Sequence, residues 1–512
     1  MSLEVELKLA AEPDDLALLT HTLIAMAPGA ASTSLKLVST YYDTPDCALL
    51  RAGAVLRVRE QEGRFIQTLK TAGADGASLL ARGEWEDVVA DSRPDPQAAE
   101  SGGRLPHGIA EALHPLFVTE IDRVAIEIEP KAGTRIEAAV DHGAIRTAAG
   151  GCGEPVSEIE LELKEGDPAA LYDLALELLE TAPLRIDLRS KSERGYRLAA
   201  GDGSPPAAVS AEPVVLNPDM TIEDALQRVG RACLGHLLRN EPAALAGAIE
   251  GVHQMRVATR RLRSMLSAVK NILPEAERRW VSDEIRAVTG TLGPARNLDV
   301  FATELVPPAR EEAPDQPGWD ELTAAAENLR AEAHRRVADE ICSPRHTAVM
   351  LRLLRWFEGC RWRRDETAGP EGAMAAAIGA VAPAVLDRRR RSVRKRSRHF
   401  RRLPARGRHR ARIAVKKLRY AIELLEGLYD RRDARPFVKR LKRAQDELGH
   451  ANDVRVAYGL VIELGRSAPN VEPMADAGAQ LLEHHERALA KDEDKLRRHL
   501  RQLNWATSFW RG

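Results

Sequence analysis

The sequence predicts a multidomain chain, α+β and sheet-rich in its first half and all-α in its second. Three observations carry this: a change of hydrophobic period near residue 200, a stretch rich in Gly, Ser, Ala and Pro at that change, and a reversal of charge across it. Before the change, apolar and polar residues alternate in Leu3–Leu9, Ala54–Glu60, Glu120–Glu129, Arg135–Asp141 and Ser157–Lys164, the period of strands. Two stretches with helical spacing interrupt them, Pro13–Met26 and Pro168–Thr181, each entered through a proline flanked by aspartate. The stretch Ala199–Pro213 sustains neither period and reads as a linker. Beyond Thr221 apolar residues return at three and four, as on amphipathic helices. The expected division is a first domain over 1–200, a linker over 201–218 and a helical domain over 219–508.

The net charge of −1 is a cancellation. Residues 1–200 hold 20 Lys and Arg against 34 Asp and Glu, and the remainder holds 55 against 42, so the halves suit different ligands: a metal in the first, a polyanion in the second. Aromatic residues are only 4% of the chain, which speaks against base stacking. The five cysteines, Cys47, Cys152, Cys233, Cys342 and Cys360, show neither a disulfide framework nor Cys-x-x-Cys spacing. Their pattern, with no apolar leader and no uninterrupted apolar run long enough to span a bilayer, predicts a cytoplasmic location.

On a strand, Glu4, Glu6 and Lys8 share one side and Val5, Leu7 and Leu9 the other. The same division recurs at Arg57 and Arg59, at Thr68 and Lys70, at Arg82, Glu84 and Glu86, and at Glu158, Glu160, Glu162 and Lys164. Each strand alone reads as the solvated face of an ordinary sheet. Together, about eight such strands and two helices able to cover the apolar side suggest a closed barrel with a charged interior. Buried charges of both signs are costly unless a charged guest satisfies them. Glutamates suit Mg²⁺ or Mn²⁺, while Arg and Lys suit phosphate oxygens. Metal with polyphosphate satisfies both sets.

These stretches, with Tyr42-Asp43-Thr44-Pro45 and with Lys191-Ser192 leading into Arg194-Gly195-Tyr196, resemble the CYTH domain of triphosphate tunnel metalloenzymes over about residues 1–200. The resemblance implies an eight-stranded antiparallel tunnel. In it Glu4, Glu6, Glu160 and Glu162 would bind metal and position water, with Glu84 a further ligand. Lys8, Arg57, Arg59, Lys70, Arg82, Arg123, Lys191 and Arg194 would grip triphosphate, and Asp141 falls where the family also has an acid.

The helical half repeats itself. His253, Arg256, Arg260 and Arg263 match His409, Arg412, Lys416 and Arg419 at an interval of 156 residues, and each histidine is followed 39 residues later by Leu-Gly, at Leu292-Gly293 and Leu448-Gly449. Two equivalent bundles are expected, over about 219–365 and 372–508. Each basic set falls on one helix face. The window Arg388–Arg419 holds 17 Arg or Lys in 32 residues and no acid, a density that repels itself unless an anion arrives. With Leu-Gly turns near Arg296, Asn297, Asp299, Asn452 and Asp453, this half resembles the CHAD domain, the conserved-histidine α-helical domain, over about 220–505. The resemblance implies two pseudo-symmetric four-helix units whose basic faces bind polyphosphate. Asn297 departs from it, standing where the family pattern commonly has aspartate. Histidine-based metal binding is not expected at His253 or His409, and the adjacent His484 and His485 read as surface residues.

The expected function is metal-dependent hydrolysis of inorganic triphosphate to phosphate and diphosphate by an enzyme tethered to a polyphosphate-binding module, associated with polyphosphate granules. A non-catalytic polyphosphate receptor, an adenylate cyclase and a thiamine triphosphatase are the alternatives. No Walker loop, nucleophile elbow or dinucleotide fingerprint supports a separate nucleotide site, and neither nucleic acid nor membrane is an expected partner.

Overall fold

The computed structural model describes residues 2–72, 81–98, 104–105, 109–151, 153–201, 205–363, 372–467 and 471–511. The chain forms two compact units, Met1–Pro205 with Cys342–Arg361, and Pro206–Ile341 with Trp362–Gly512.

In the first unit the chain runs β1 (Ser2–Ala11), α1 (Leu16–Met26), β2 (Ser32–Asp43), α2 (Ala48–Arg51), β3 (Ala54–Gln61), β4 (Arg64–Ala72), β5 (Ala81–Val89), β6 (His114–Lys131), β7 (Thr134–Thr147), β8 (Glu154–Glu165), α3 (Ala169–Thr181), β9 (Leu184–Ile186) and α4 (Lys191–Ala199). The strands lie in the order β5-β4-β3-β2-β6-β7-β8-β1-β9, all antiparallel. β1 also pairs with β5 through Ser2–Val5, so each of the eight long strands has a neighbour on both sides. Its alternation divides two environments. Leu7 and Leu9 are fully buried, on the side covered by α3. The helices bury Leu16, Leu19 and Leu23 of α1 and Leu171, Tyr172 and Leu178 of α3. Glu6 and Lys8 face a cavity of about 330 Å³.

The second unit begins with α5 (Ile222–Leu245), α6 (Ile249–Ala268), α7 (Glu275–Val300), α8 (Val306–Glu312) and α9 (Trp319–Ile341). After α10 (Pro344–Glu358), it continues with α11 (Ile378–Ser397), α12 (Ala405–Leu425), α13 (Arg431–Ser467) and α14 (Val471–Trp505). The equivalent helices α6 and α12 pack on each other, and a core of Phe301, Leu305, Trp319, Leu322, Leu464, Met474 and Leu481 joins the two repeats. Among the described residues, no helix is long and apolar enough to cross a membrane.

α10 packs with the first unit although in sequence it lies within the helical half, between α9 and α11. Its buried Met350, Leu353, Leu354, Trp356 and Phe357 form the apolar stripe, it packs on α3 and β9, and Thr347 Oγ1 donates to the Leu184 carbonyl at 2.7 Å. The stretch after residue 205 has no regular structure but is held: Asn240 and His236 contact the Val209 carbonyl, each at 3.0 Å, and Val214 and Leu216 are buried.

Two local expectations are corrected. Leu292-Gly293 and Leu448-Gly449 are not turns, since they lie inside α7 and α13. A Cβ on Gly293 would come within 3.3 Å of the Arg256 guanidinium, so glycine here leaves room for a cation against the helix. His485 is not a surface residue. It is 3% exposed, and its Nε2 meets the carbonyl of Leu305 at 2.8 Å, at the end of a π turn over Phe301–Leu305, where an irregular backbone asks for side-chain partners.

Candidate active site and anion groove

The cavity of the first unit is lined by Glu6 and Lys8 of β1, Arg57 and Arg59 of β3, Lys70 of β4, Glu84 of β5, Arg123 of β6, Glu160 and Glu162 of β8 and Lys191 of α4, all singled out by sequence. The side chains of Glu4 and Arg82 lie outside the described residues. Arg194 does not line the cavity: its Nε donates to Glu154 at 2.8 Å, its Nη1 to Glu158 at 3.2 Å, and it reaches the Pro155 carbonyl.

Strand register sorts the charges into rows. Glu6 lies opposite Glu162, and Glu162 opposite Glu137. Like charges directly opposite one another on adjacent strands are destabilising, so this row calls for a cation. Lys164 partly answers it, at 2.7 Å from Glu162 and 3.7 Å from Glu137, and Lys8 Nζ donates to Glu6 at 2.6 Å. These carboxylates are hard oxygen donors, the ligand chemistry of a divalent cation.

Asp141, Glu158 and Glu160 bring carboxylate oxygens within 4.8 Å of one another. The Lys191 ammonium fills their centre, 2.7 Å from Asp141, 2.8 Å from Glu160 and in contact with Glu158. While Lys191 stays there, a lysine and not a metal balances this trio. Glu160 also meets Lys8 and Arg123, and Arg123 Nε donates to Asp141 at 2.7 Å. Burial alone would raise the Glu160 carboxyl, but Lys191, Lys8 and Arg123 hold it well below its usual value. Burial likewise opposes the charge on Lys191, and Glu160, Glu158 and Asp141 outweigh it.

The opposite wall carries Arg57, Arg59 and Lys70 with Glu84 and Glu86. Arg57 is 3.5 Å from Glu84, and Lys70 is 3.2 Å from the same carboxylate. Arg59 has no ion pair among the described residues and donates only to Ser39 Oγ, at 3.3 Å. Burial, then Arg57, push its guanidinium down to about 10. A half-buried cation in this state is stabilised by any anion placed beside it.

Two motifs shape this site without lining it throughout. The buried Asp43 carboxylate accepts from the backbone N–H of Thr44, Leu49 and Leu50 and from the Tyr196 hydroxyl at 2.9 Å, tying α2 to α4. Gly195 must be small, because a Cβ there would lie 2.1 Å from the Phe117 ring. Tyr41, absent from the sequence-based site, lines the cavity and stacks on Phe117 at 4.5 Å. Burial pushes its phenol up, but Arg57 and Arg59 bring it below its ordinary value. Tyr41 lies on the Ser39 side of β2, a signal that alternation contained. Glu137 was equally legible, being on the Asp141 side of its strand.

In the second unit a groove of about 770 Å³ is lined by His253, Arg256 and Arg260 of α6, Arg296 and Asn297 of α7, Arg412, Lys416 and Arg419 of α12, and Asn452 and Asp453 of α13. Arg263 is exposed and outside it. His409 lines an adjoining cavity that shares Arg412 and Asn452 with the groove. Among the described residues, no ion pair engages Arg256, Arg260, Arg412 or Lys416. Burial, then Arg412 and Arg260, push the Lys416 ammonium down to about 7, and burial, then Arg260 and Arg296, bring Arg256 to about 10.

Residues 2–196 match the family model of the CYTH domain and residues 228–461 that of the CHAD domain. Over 203 residues, 38% of this chain, the sequence is 33% identical to a protein named inorganic triphosphatase from Haemophilus influenzae (strain ATCC 51907 / DSM 11121 / KW20 / Rd), and the match spans 55% of that relative. A 78-residue stretch is 37% identical to an uncharacterized protein of Mycobacterium tuberculosis (strain CDC 1551 / Oshkosh), covering 15% of each chain. The chain thus spans about half or less of the curated relatives it matches. The crystal structure of the CHAD domain from the plant Ricinus communis aligns with a TM-score of 0.51 and 29% identity over 59% of this chain and 98% of that one. This chain therefore joins a CYTH domain to a CHAD domain.

Proposed function

We propose that the first unit hydrolyses inorganic triphosphate to phosphate and diphosphate with Mg²⁺ or Mn²⁺, and that the helical groove binds inorganic polyphosphate. The observation that carries the first reading is one cavity with a glutamate row on one wall and Arg59, unpaired, on the other. The relative named inorganic triphosphatase supports it.

Glu6, Glu160 and Glu162 would hold the metal, which supplies charge neutralisation at phosphate oxygens and a more acidic water. Arg57, Arg59, Lys70 and Arg123 would fix the phosphate chain by charge-assisted hydrogen bonds, and positioning with electrostatic stabilisation is most of what phosphoryl transfer asks of a protein. Lys8 and Lys191 hold Glu160 ionised and aimed into the cavity. Purified protein is expected to release phosphate from inorganic triphosphate faster than from ATP, thiamine triphosphate or long polyphosphate, and to stop on addition of EDTA. Formation of cyclic AMP from ATP, or binding of triphosphate without cleavage, would replace this reading with a cyclase or a receptor.

The groove makes a pH-dependent prediction. An anion beside Lys416 favours its charged form, so polyphosphate binding takes up a proton where the free ammonium is partly neutral. Affinity is expected to be highest below about pH 7, the titration point of free Lys416, and to weaken above it. Lys416→Arg is expected to bind with a flatter profile, because guanidinium titrates higher. Calorimetry in buffers of different ionisation heat measures the proton uptake directly.

A further inference from the structure

Trp505, at the end of α14, is 82% exposed, more than any other large apolar side chain among the described residues. Its backbone is nevertheless fixed. The carbonyl before it, of Asn504, accepts from Arg394 Nε at 3.0 Å and Nη2 at 2.7 Å, and the carbonyl after it, of Ala506, accepts from Arg390. Tyr429, Phe437, Phe509 and Trp510 form an aromatic cluster nearby, with ring centroids 4.9 to 5.8 Å apart along the chain of contacts. Phe437 and Trp510 are buried, so this cluster is the packed floor from which Trp505 projects.

Trp505 borders a cavity of about 890 Å³ whose facing wall is α13, with Arg432, Arg440 and Arg443 against a single acid, Asp433. These arginines are exposed, and among the described residues no ion pair engages them. Positions 432, 440 and 443 fall on one helix face and extend over about 16 Å at 1.5 Å per residue. That track is longer than a single phosphate needs. A rigid indole in water, set beside a line of guanidinium groups that form no ion pair among the described residues, combines a base-stacking platform with a phosphate track; Arg440 donates only to the Pro436 carbonyl, at 3.2 Å. Inorganic polyphosphate has no ring to stack and gives no reason to hold an indole in solvent.

We infer that this surface, formed by Trp505 and the Arg432, Arg440 and Arg443 face of α13, binds single-stranded nucleic acid, independently of the groove lined by His253 and Lys416. The strand stacks a base on Trp505 and lays its phosphates along α13. Contact is through base faces and backbone charge, so the preference is for single strands and not for one sequence.

The test is binding of a fluorescently labelled oligouridylate dodecamer to the full chain, followed by anisotropy and tryptophan quenching. Trp505→Ala is expected to weaken binding about tenfold or more and Trp505→Phe to retain most of it, in line with the contribution of one stacked base. Arg440→Glu with Arg443→Glu is expected to weaken binding further than Trp505→Ala does and to reduce the salt dependence of what remains. All variants should bind inorganic polyphosphate as the parent does. The inference is overturned if Trp505→Ala leaves oligonucleotide affinity unchanged, if ATP binds as tightly as the strand, or if phosphatidylserine vesicles and not the oligonucleotide require Trp505. Trp505 is exposed, so the variants are expected to melt like the parent, and a matched melting curve separates lost binding from lost folding.

Discussion

Glu6→Gln combined with Glu162→Gln is expected to lower triphosphate hydrolysis by about a thousandfold or more while changing the melting temperature little. The two carboxylates are register partners on β1 and β8, with Glu137 next in the row. Their mutual repulsion is tolerated only if a cation joins them. Neutralising both costs the contacts to Lys8 and Lys164, at 2.6 and 2.7 Å, but relieves the repulsion, so the stability effects oppose each other. Activity has no such compensation. A bound metal supplies several kcal/mol of transition-state stabilisation, and each ~1.4 kcal/mol is a factor of ten in rate. Steady-state phosphate release over a range of Mg²⁺ and Mn²⁺ concentrations measures the loss. Activity within about tenfold of the parent would show that this row does not hold the metal.

Glu160→Ala is expected to have the largest effect on stability, a loss of about 3 to 5 kcal/mol near neutral pH. Glu160 meets Lys8, Lys191 and Arg123 at once, and its removal leaves each of these buried cations one carboxylate short. The pH dependence has a definite sign. The folded carboxyl titrates well below its ordinary value, so its contribution is present above the unfolded value of about 4.3 and disappears as pH falls through the folded one. The raised Lys191 and Lys8 ammoniums contribute below about pH 10.4, and that contribution is lost as pH rises through their folded values. Urea denaturation of parent and variant should therefore show a constant gap between about pH 5 and 10 that narrows in acid. A gap that persists unchanged in acid would assign the loss to packing.

The two effects differ because the networks differ. The Glu6 row is tied down by fewer cations, whereas Glu160, proposed with Glu6 and Glu162 to hold the metal, also anchors Lys8, Lys191 and Arg123. Alternation placed all these carboxylates on one face of their strands but could not separate the roles. Register pairs Glu6 with Glu162 and Lys8 with Glu160, and the strands concerned are about 150 residues apart in sequence.

Arg194 shows the same limit. It adjoins Gly195 and Tyr196 in a recognisable motif, yet it engages Glu154 and, of the carboxylate trio, Glu158 alone, outside the cavity lining, while Lys191, one helical turn earlier, lines the cavity and meets all three. The helical repeat was legible as a spacing of basic residues because helix geometry converts spacing into a face. What that spacing could not show is that Arg263 falls outside the groove, that His409 lines the adjoining cavity, or that both Leu-Gly pairs lie inside helices.

By itself the sequence determined the strands, the amphipathic helices, the internal repeat and which side of each strand is charged, because these follow from local periodicity and side-chain chemistry. Tertiary structure alone decided which charges meet: Lys191 inside the trio of Asp141, Glu158 and Glu160, Arg59 left without an acid, α10 packed on α3, and Trp505 held in water by Arg390 and Arg394. Such pairings depend on long-range register and packing, and a periodic pattern fixes the face a residue occupies without naming the partner across from it.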